Sequence, residues 1–331
     1  MKRRVPRVRA IAAAWAVLTM AIVAASAQAQ SQPYPARSLR LIVPQAPGGH
    51  SDTLGRIVAE RFSELLAQPV IVENRGGAGG TIGAEAGARA AADGYTLLFA
   101  GSNVLGRAEV VMKDLRYGVR DFATVGTIAR VSYGLAIHPR IPATSIAALI
   151  DYARAHPGEL NYASSGVSSA SSLAFELLRQ TAKIDIVHIP FRGLAPAVNE
   201  LVSGRVDMMF TDLAQLVPLA NRGAVRLIAV AGSARSSAAA DVRTVAEQGY
   251  PELAIEPWYG IVVPAGTPAP IVGTLARTLL QTLRTPQVRQ RFEQLGYGPL
   301  ESSPEEFDAL IRAETKTFAG FALPVEADSP R

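Results

Sequence analysis

The sequence predicts an α/β protein with two lobes and a ligand cleft between them, and three observations support this. Strand patterns alternate with helical patterns along most of the chain, which predicts parallel sheets covered by helices. Small polar loops follow several predicted strands, at the edge where open α/β sheets bind ligands. About 300 residues remain after a predicted leader is removed, which is near the upper limit for one hydrophobic core.

Residues 1–29 are predicted to be a cleaved export signal. Five basic residues between Lys2 and Arg9 precede an apolar run from Ile11 to Ala25. Ala27 and Ala29 then give the small-x-small pattern of a cleavage site, so cleavage is predicted after Ala29. The alternative is a membrane anchor, but the apolar run is shorter than the roughly 20 residues that a spanning helix needs. The predicted location is therefore the periplasm.

Charge and cysteine content exclude several function classes. The formal net charge is +5, and the predicted leader carries five basic side chains and no acidic one, so the remainder is near neutral. Neither nucleic acid nor a membrane surface is a predicted partner. The chain has no cysteine, which excludes disulfides, thiol nucleophiles, thiolate metal sites and a lipid-modified cysteine. A soluble monomer is expected.

The first α/β unit reads as β-α-β-α-β, which predicts a parallel sheet with right-handed crossovers. Its predicted strands cover residues 39–44, 69–74 and 95–101, and its predicted helices cover 52–67 and 81–91. The second unit has predicted strands at 135–138, 161–163, 184–189, 206–210 and 225–230, and predicted helices at 145–155, 172–181, 195–203 and 213–221. A strand at 258–264 and helices at 271–284, 286–295 and 304–318 complete the chain.

The two units are predicted to be discontinuous lobes. Residues 122–138 are β-prone and lack the composition of a linker, so they can cross from one lobe to the other, and residues 251–263 can return. The predicted first lobe comprises 30–130 plus 256–331, and the predicted second lobe comprises 131–255. A cleft lined by loops of both lobes is a natural ligand site.

Residues 41–55, which read LIVPQAPGGHSDTLG, carry the most information about function. A strand is followed by a Pro-Gly-Gly turn and by a helix start at Ser51 and Asp52. Backbone N–H groups converge at such a helix start, where they can hold an anion without a charged side chain. Gly48 and Gly49 are therefore predicted to present bare N–H groups to a carboxylate. The alternative is a tight turn that needs positive φ, and Asp52 is predicted to cap the helix first and to contact ligand second.

Several segments resemble one known family in order and spacing. They are VPQAPGGHSDTLGR, VIVENRGGAGGTIGAEAGARAAADGYTLLFA, LNYASSG, VHIPFRG, VDMMFTDL, LIAVAGSARS and IVVPAGTPAPIV. This set resembles the Bug/TctC family, the periplasmic solute receptors of tripartite tricarboxylate transporters, from about Pro35 to Phe321. The resemblance implies a type II periplasmic binding fold that closes on a small carboxylate. It also implies membrane permease subunits as partners.

The resemblance also implies which residues bind the ligand. From the first lobe it implies the first βα loop and the loop after the third strand, here Gly48, Gly49, His50, Ser51, Asp52, Gly101, Ser102 and Asn103. From the second lobe it implies Ala163, Ser164, Gly166 and Asp212. Asp212 follows Thr211, whereas the family often reads Met-Phe-Asp at this place. The run from Gly101 to Arg107 and the residue Val167 also depart from the family pattern, so the ligand's identity stays open among dicarboxylates, tricarboxylates, acidic amino acids and aromatic acids.

Other polar side chains have two interpretations each. Ser164, Ser165 and Ser168 either donate to ligand or cap the next helix. His50 is either a cation of the anion loop or a solvated residue, and His188 is interpreted as a core residue. Arg107 and Arg192 lie nearest the predicted loops, and each is a candidate for a bidentate carboxylate contact.

No metal ion and no cofactor are predicted. The four histidines are scattered, without the pairing of a metal motif. The Gly76–Gly80 run lacks the Gly-Lys-Ser/Thr ending of a phosphate loop and the GxGxxG spacing. It is interpreted as a compact turn before the helix that begins at Thr81.

The leading functional hypothesis is a receptor, not an enzyme, that captures a small organic acid and delivers it to a membrane permease. A second hypothesis is a periplasmic sensor that docks a two-component receptor kinase on closure. A more distant hypothesis is an exported Ser-dependent hydrolase. The sequence around Ser164 argues against it, because it lacks the Gly-x-Ser-x-Gly motif of such enzymes.

Overall fold

The computed structural model describes residues 34–319 except 49, 113, 167, 168, 192, 233 and 296. It describes only the backbone of residues 50, 111 and 237. The predicted leader and cleavage site lie outside these residues. From Ser38 onward, the described residues form one compact unit.

One sheet has six strands, drawn from both ends of the described chain. Its strands are β1 (Leu39–Val43), β2 (Val70–Asn74), β3 (Thr96–Gly101), β4 (Phe122–Arg130), β10 (Trp258–Pro264) and β11 (Gly298–Pro299). The spatial order is β11-β4-β10-β3-β1-β2. β1 pairs in parallel with β2 and β3, whereas β10 is antiparallel to β3 and β4. The loops after β1 and β3 therefore emerge at the same edge.

The other sheet has five strands from the middle of the chain. Its strands are β5 (Tyr133–Ile137), β6 (Asn161–Ser164), β7 (Val187–Pro190), β8 (Met208–Asp212) and β9 (Arg226–Val230), in the order β7-β6-β8-β5-β9. β6 pairs in parallel with β7 and β8, and β5 is antiparallel to β8 and β9. The carboxyl ends of β6 and β8 thus lie side by side.

Helices connect the strands of both sheets. They are α1 (His50–Leu66), α2 (Thr81–Ala88), α3 (Arg107–Val111), α4 (Ile146–Ala155), α5 (Ala170–Ala182), α6 (Leu194–Val202), α7 (Leu213–Asn221), α8 (Ala269–Arg284), α9 (Pro286–Gln294) and α10 (Pro304–Ala319). Within the described part of the chain, no helix is both long and apolar enough to span a bilayer.

The chain passes from the six-stranded to the five-stranded sheet between β4 and β5. At this crossing, the N–H of Val131 donates to the carbonyl of Pro257 at 2.8 Å, just before β10 begins. The carbonyl of Ser132 accepts the N–H of Leu213, the first residue of α7, at 2.9 Å. Main-chain hydrogen bonds therefore connect the segment between β4 and β5 with the segment before β10 and with the end of β8.

Each sheet has its own apolar core. In the six-stranded sheet, Trp258 and Phe307 pack edge to face with ring centroids 5.0 Å apart. Trp258 is buried, so its ring contributes to this core. In the five-stranded sheet, Met209 of β8 packs with Leu216 of α7 and with neighbours on β6 and α6. Apolar burial on both faces explains why these strands read as continuous hydrophobic runs.

Most predicted elements are confirmed within two residues. The helix predicted at 81–91 ends three residues earlier, at Ala88, and two strands lie later in the chain than predicted. The strand predicted at 184–189 begins only at Val187, because Ile184 still bonds to the end of α5 through the carbonyl of Arg179. The strand predicted at 206–210 runs from Met208 to Asp212. Asp207 precedes this strand, and its main chain bonds to His138 and Asn161 while its carboxylate accepts the Asn161 N–H at 2.9 Å. The short helix α3 and strand β11 were not predicted.

Candidate functional site

The first βα loop is closed by the side chain of Asp52. Its Oδ2 accepts the N–H of Gly48 at 2.9 Å and the Nε–H of Arg56 at 3.1 Å. Its Oδ1 accepts from the side-chain amide of Asn74 on β2 at 3.0 Å. Asp52 is only 4% exposed, and it lies in the first turn of α1, not before it. The carboxylate therefore links the glycine turn, α1 and β2.

The prediction of bare N–H groups in this loop is wrong for Gly48. Its N–H already donates to Asp52, because a carboxylate in the first helical turn is a nearby and strong acceptor. The φ of Gly48 is +83°, as the tight-turn interpretation requires. Gly49 and the side chain of His50 lie outside the described structure.

Electrostatics keep Asp52 ionised. Burial acts to raise its pKa, but hydrogen bonds from Arg56, Gly48 and Asn74 outweigh burial, so the pKa lies below its ordinary value. The loop consequently holds a permanent negative charge beside the positive Arg56. A ligand anion must approach on the other side of this pair.

The loop after β3 is anchored at three points. Gly101 ends β3, and a Cβ there would lie 2.7 Å from Oδ1 of Asn103 and 3.2 Å from the ring of Tyr259, so a larger residue would displace these side chains. The N–H of Ser102 donates to the carbonyl of Trp258 at 3.1 Å. The side-chain amide of Asn103 donates to the carbonyl of Gly79 at 2.8 Å. Asn103 thus joins this loop to the glycine run that precedes α2.

That glycine run is a compact turn, as the sequence indicates. Residues Ala78–Gly80 form one 3-10 turn, and Gly80 has a φ of +102° immediately before α2. A Cβ on Gly80 would lie 2.9 Å from the carbonyl oxygen of Pro44. The turn therefore packs directly on the end of β1.

Arg107 begins α3 and is buried, with 2% exposure. Its Nε donates to Oε1 of Glu314 at 3.0 Å, and its Nη2 donates to the hydroxyl oxygen of Ser102. Its Nη1 has no hydrogen-bond partner among the described residues. Arg192, the other candidate cation, lies outside them.

Three tyrosines surround the end of β8. The hydroxyl of Tyr297 lies 3.4 Å from Oδ2 of Asp212, which is 2% exposed. Burial raises the pKa of Tyr297 and of Tyr133, and the carboxylate of Asp212 raises both further. These phenols stay protonated at any physiological pH and act as hydrogen-bond donors.

Tyr259 is the point where predicted site residues of both sheets meet. Burial raises its pKa and Asp212 raises it further, whereas a hydrogen bond with Ser51 and the charge of Arg107 lower it. Ser51 belongs to the first βα loop, and Asp212 ends a strand of the five-stranded sheet. The structure therefore brings Ser51 and Asp212 close to one half-buried tyrosine. Sequence reasoning left Tyr259 open between lining the cleft and packing at the hinge, and it did not find Tyr133 or Tyr297.

Asp212 is the residue before α7, but its side chain makes no capping hydrogen bond to that helix. Its carboxylate turns toward Tyr297 instead.

In the five-stranded sheet, the predicted Ala163–Gly166 loop follows β6. Ala163 and Ser164 are fully buried, and the N–H of Gly166 donates to the hydroxyl oxygen of Ser164 at 3.2 Å. Ser171 donates to the carbonyl of Ala163 at 3.0 Å. The cap of the next helix is Ser169, which accepts the N–H of Ser172 at 3.2 Å, so neither Ser164 nor Ser165 caps α5. Ser168 lies outside the described residues.

His188 is bonded to that loop and is not a plain core residue. Its Nε2 lies 2.7 Å from the hydroxyl oxygen of Ser164, and its ring stacks on Tyr162 with centroids 4.7 Å apart. Burial lowers its pKa, against the opposing charge of Glu176. The parallel register that pairs Tyr162 with His188 creates this contact, and no spacing in the sequence reveals it.

No group of three or more histidine, aspartate or glutamate residues in the described part of the chain is arranged to hold a metal ion. Among the described residues, the polar side chains of the site include serine hydroxyls, the Asn103 amide, the Arg107 guanidinium and the carboxylates of Asp52 and Asp212. Such a set can bind and orient a small polar molecule.

The TctC family, described as the tripartite tricarboxylate transporter family receptor, matches residues 54–320. The chain belongs to this family. BugT of Bordetella pertussis is 34% identical over 297 residues, which cover 89% of this chain and 91% of BugT. These matches confirm the resemblance seen in the sequence motifs.

Solved structures agree in fold. MatC from Rhodopseudomonas palustris with bound malate is 32% identical with a TM-score of 0.79, covering 86% of this chain and 99% of MatC. An R. palustris protein with adipate is 32% identical with a TM-score of 0.79, covering 87% of this chain and 98% of that one. The fold is therefore the two-lobed fold of periplasmic binding proteins, as predicted.

Proposed function

We propose that this chain captures a small organic carboxylate in the cleft between its two lobes and delivers it to a tripartite tricarboxylate-type transporter in the membrane. The observation that carries the proposal is the convergence of Ser51, Asp212 and the charge of Arg107 on Tyr259. Ser51 and Arg107 belong to the part of the chain that builds the six-stranded sheet, whereas Asp212 ends a strand of the five-stranded sheet. A ligand bound there contacts both lobes, so its binding energy favours the closed state.

The lobes of this proposal are residues 30–130 plus 256–331 and residues 131–255. The ligand-binding residues are those that the resemblance implies, with Gly48 acting through the shape of its turn. The malate and adipate of the two R. palustris proteins support a dicarboxylate ligand. Acidic amino acids, tricarboxylates and aromatic acids belong in the same experiment.

Export to the periplasm is part of the proposal. Its test is N-terminal sequencing of material from the periplasm, where a start at Gln30 is expected. Intact Met1 in a membrane pellet would contradict it.

A non-enzymatic role fits the second lobe better than hydrolysis does. Ser164 and His188 are 2.7 Å apart, but within the described residues no carboxylate is hydrogen bonded to His188. The pair lacks the orienting acid of a nucleophilic triad.

The test is ligand-linked stability of ligand-stripped protein with malate, adipate, citrate, glutamate and benzoate. One class is expected to raise the melting temperature by several degrees, since a hundredfold excess over Kd adds about 2.7 kcal/mol. The same acid should reduce the radius of gyration in small-angle scattering and should be recovered unchanged. Product formation, or no response to any acid at millimolar concentration, would overturn the proposal.

A matched pair of variants locates the site. Tyr259→Phe removes the shared hydroxyl and keeps the ring that packs on Phe99. It should weaken binding about three- to tenfold, the worth of one hydrogen bond. Tyr117→Phe removes the hydroxyl of a buried tyrosine, bonded to the Val104 carbonyl at 2.8 Å, and should leave affinity unchanged. Equal affinities of both variants would place the site away from Tyr259.

A further inference from the structure

The guanidinium of Arg107 is fixed in place on three sides. Glu314 accepts its Nε–H at 3.0 Å, and Ser102 accepts from Nη2. Its Cζ lies 5.4 Å from the ring centroid of Phe318 on α10. The side chain is 2% exposed, so it cannot swing into bulk solvent without breaking these contacts.

One nitrogen of this guanidinium is unsatisfied. Nη1 is buried and has no hydrogen-bond partner within the described residues. A buried N–H of a charged group without an acceptor has lost its hydration and gained no hydrogen bond in return. The contacts with Glu314, Ser102 and Phe318 leave this one nitrogen without an acceptor. An acceptor supplied by a ligand removes the cost.

The guanidinium lies beside the residues that meet at Tyr259. Its charge lowers the pKa of both Tyr133 and Tyr259 against the larger effect of burial. It also bonds directly to Ser102, one of the predicted ligand-binding residues. Ser102 accepts from Arg107, and its own hydroxyl proton has no acceptor among the described residues. Two donors, Nη1 and the Ser102 hydroxyl, are therefore available at one place.

Glu314 limits the charge that Arg107 presents. Burial raises the pKa of Glu314, and bonds from Arg107 and Trp258 act in the opposite sense. While Glu314 is ionised, it offsets the guanidinium charge and leaves the donor geometry in place. Recognition at Arg107 then depends on oriented N–H groups, which suit the planar acceptor pair of a carboxylate.

We propose that Nη1 of Arg107 donates to one oxygen of the ligand's carboxylate and that the Ser102 hydroxyl donates to the other. This inference rests on the proposed function and deepens it. It makes Arg107 the carboxylate anchor of the first lobe. It also makes Glu314 a positioning residue that weakens the anchor's charge.

Calorimetric titration with malate and adipate tests the inference. Arg107→Lys keeps the charge but lacks the fork of donors, and it should weaken binding about 10- to 100-fold. Glu314→Gln keeps the shape and removes the counter-charge, and it should tighten binding severalfold. A purely structural role predicts the opposite, because loosening the support of Arg107 then weakens binding or leaves it unchanged.

The matched controls are Arg312→Lys and Asp308→Asn. These residues form an exposed ion pair on the same helix as Glu314, with Arg312 Nε 2.6 Å from Oδ2 of Asp308. Neither control should change affinity. If wild type binds malate or adipate and both Arg107→Lys and Glu314→Gln bind equally well, the inference is overturned and the proposed function stands. If the wild type binds neither acid, the titrations are repeated with citrate, glutamate and benzoate. If the wild type binds none of the five acids, both the proposed function and this inference are overturned.

A measurement on wild-type protein covers the case in which Arg107→Lys does not fold. In protein labelled with ¹⁵N-arginine, adding the bound acid should produce one further slowly exchanging Nη–H resonance. Ser102→Ala is a smaller change. It should weaken binding about three- to tenfold and leave the protein folded. Unchanged arginine spectra together with unchanged Ser102→Ala affinity would refute the anchor.

Discussion

The backbone N–H of Gly48 donates to Oδ2 of Asp52 at a distance of 2.9 Å. The loop that is built to attract an anion therefore already contains one, supplied by its own helix. Arg56 and Asn74 donate further hydrogen bonds to the same carboxylate. Asp52 thus shapes the loop, and ligand recognition is left to neighbouring groups such as Ser51, Ser102 and Arg107.

Asp52→Ala should destabilise the protein by about 1–2 kcal/mol, because it removes the acceptor of the Gly48 N–H and one acceptor of the Asn74 amide. Asp52→Asn keeps one acceptor and should cost less. Urea denaturation measures both. The control is Asp308→Ala, which removes an exposed ion pair with Arg312 and should change stability little. Equal stability of Asp52→Ala and the control would show that the closed loop is not needed for folding.

The same carboxylate should make stability depend on acid. Hydrogen bonds hold the pKa of Asp52 below its ordinary value of 3.8, even though burial opposes them. Its contribution is therefore complete above about pH 4 and is lost as pH falls through the folded-state pKa. The stability difference between wild type and Asp52→Asn should shrink below pH 4. A difference that stays constant down to pH 2.5 would contradict the shift.

The βαβαβ order could be predicted because each element has a strong local pattern. Leu39–Val43 is a short apolar run ended by proline and glycine, and α1 begins with an acid in its first turn. By contrast, α3 has only five residues, too few to show a period. The strand at 187–190 was placed too early because Ile184 and Ile186 are buried without pairing in the sheet. Burial alone does not identify a strand.

The site could be predicted only in part, for a reason of topology. Loops that follow parallel strands share one edge, so Ser51, Ser102 and Ser164 were found from the pattern. Tyr297 lies 85 residues from Asp212 in the chain, and no local rule joins them. The Ser164–His188 contact depends on the register of β6 against β7, which the sequence leaves open. Arg107 was a candidate, but its bonds to Ser102 and Glu314 required the packing of α10.

Gly101→Ala should disturb the site through Tyr259. The new Cβ would lie 2.7 Å from Oδ1 of Asn103 and 3.2 Å from the Tyr259 ring. A loss of about 1–3 kcal/mol is expected, with weaker carboxylate binding. Gly298→Ala is the matched control in the same sheet, because nothing lies within 4 Å of its Cβ. Thermal melts and calorimetry measure both effects, and a Gly101→Ala protein with normal stability and affinity would contradict the close packing.

His188→Gln should reduce the sensitivity of the fold to mild acid. Burial lowers the pKa of His188 below its ordinary value of 6.5, and the opposing charge of Glu176 does not cancel this. The unfolded chain therefore binds a proton more readily, so wild-type stability falls as pH drops below 6.5 toward the folded-state pKa. Melting temperatures at pH 7.5 and 5.5 should differ less in His188→Gln than in wild type. Parallel behaviour of the two proteins would show that His188 does not titrate in this range.

Asp212→Asn should alter selectivity, because the buried carboxylate of Asp212 faces Tyr297 and influences Tyr133 and Tyr259. A carboxylate there repels a ligand made only of carboxylates and attracts an α-ammonium group. The variant should bind glutamate more weakly and adipate equally or more tightly. Tyr297→Phe keeps the charge and removes one donor, so it should not reverse the order of the two ligands. Calorimetry with both acids decides, and equal changes for glutamate and adipate in Asp212→Asn would place Asp212 outside the binding site.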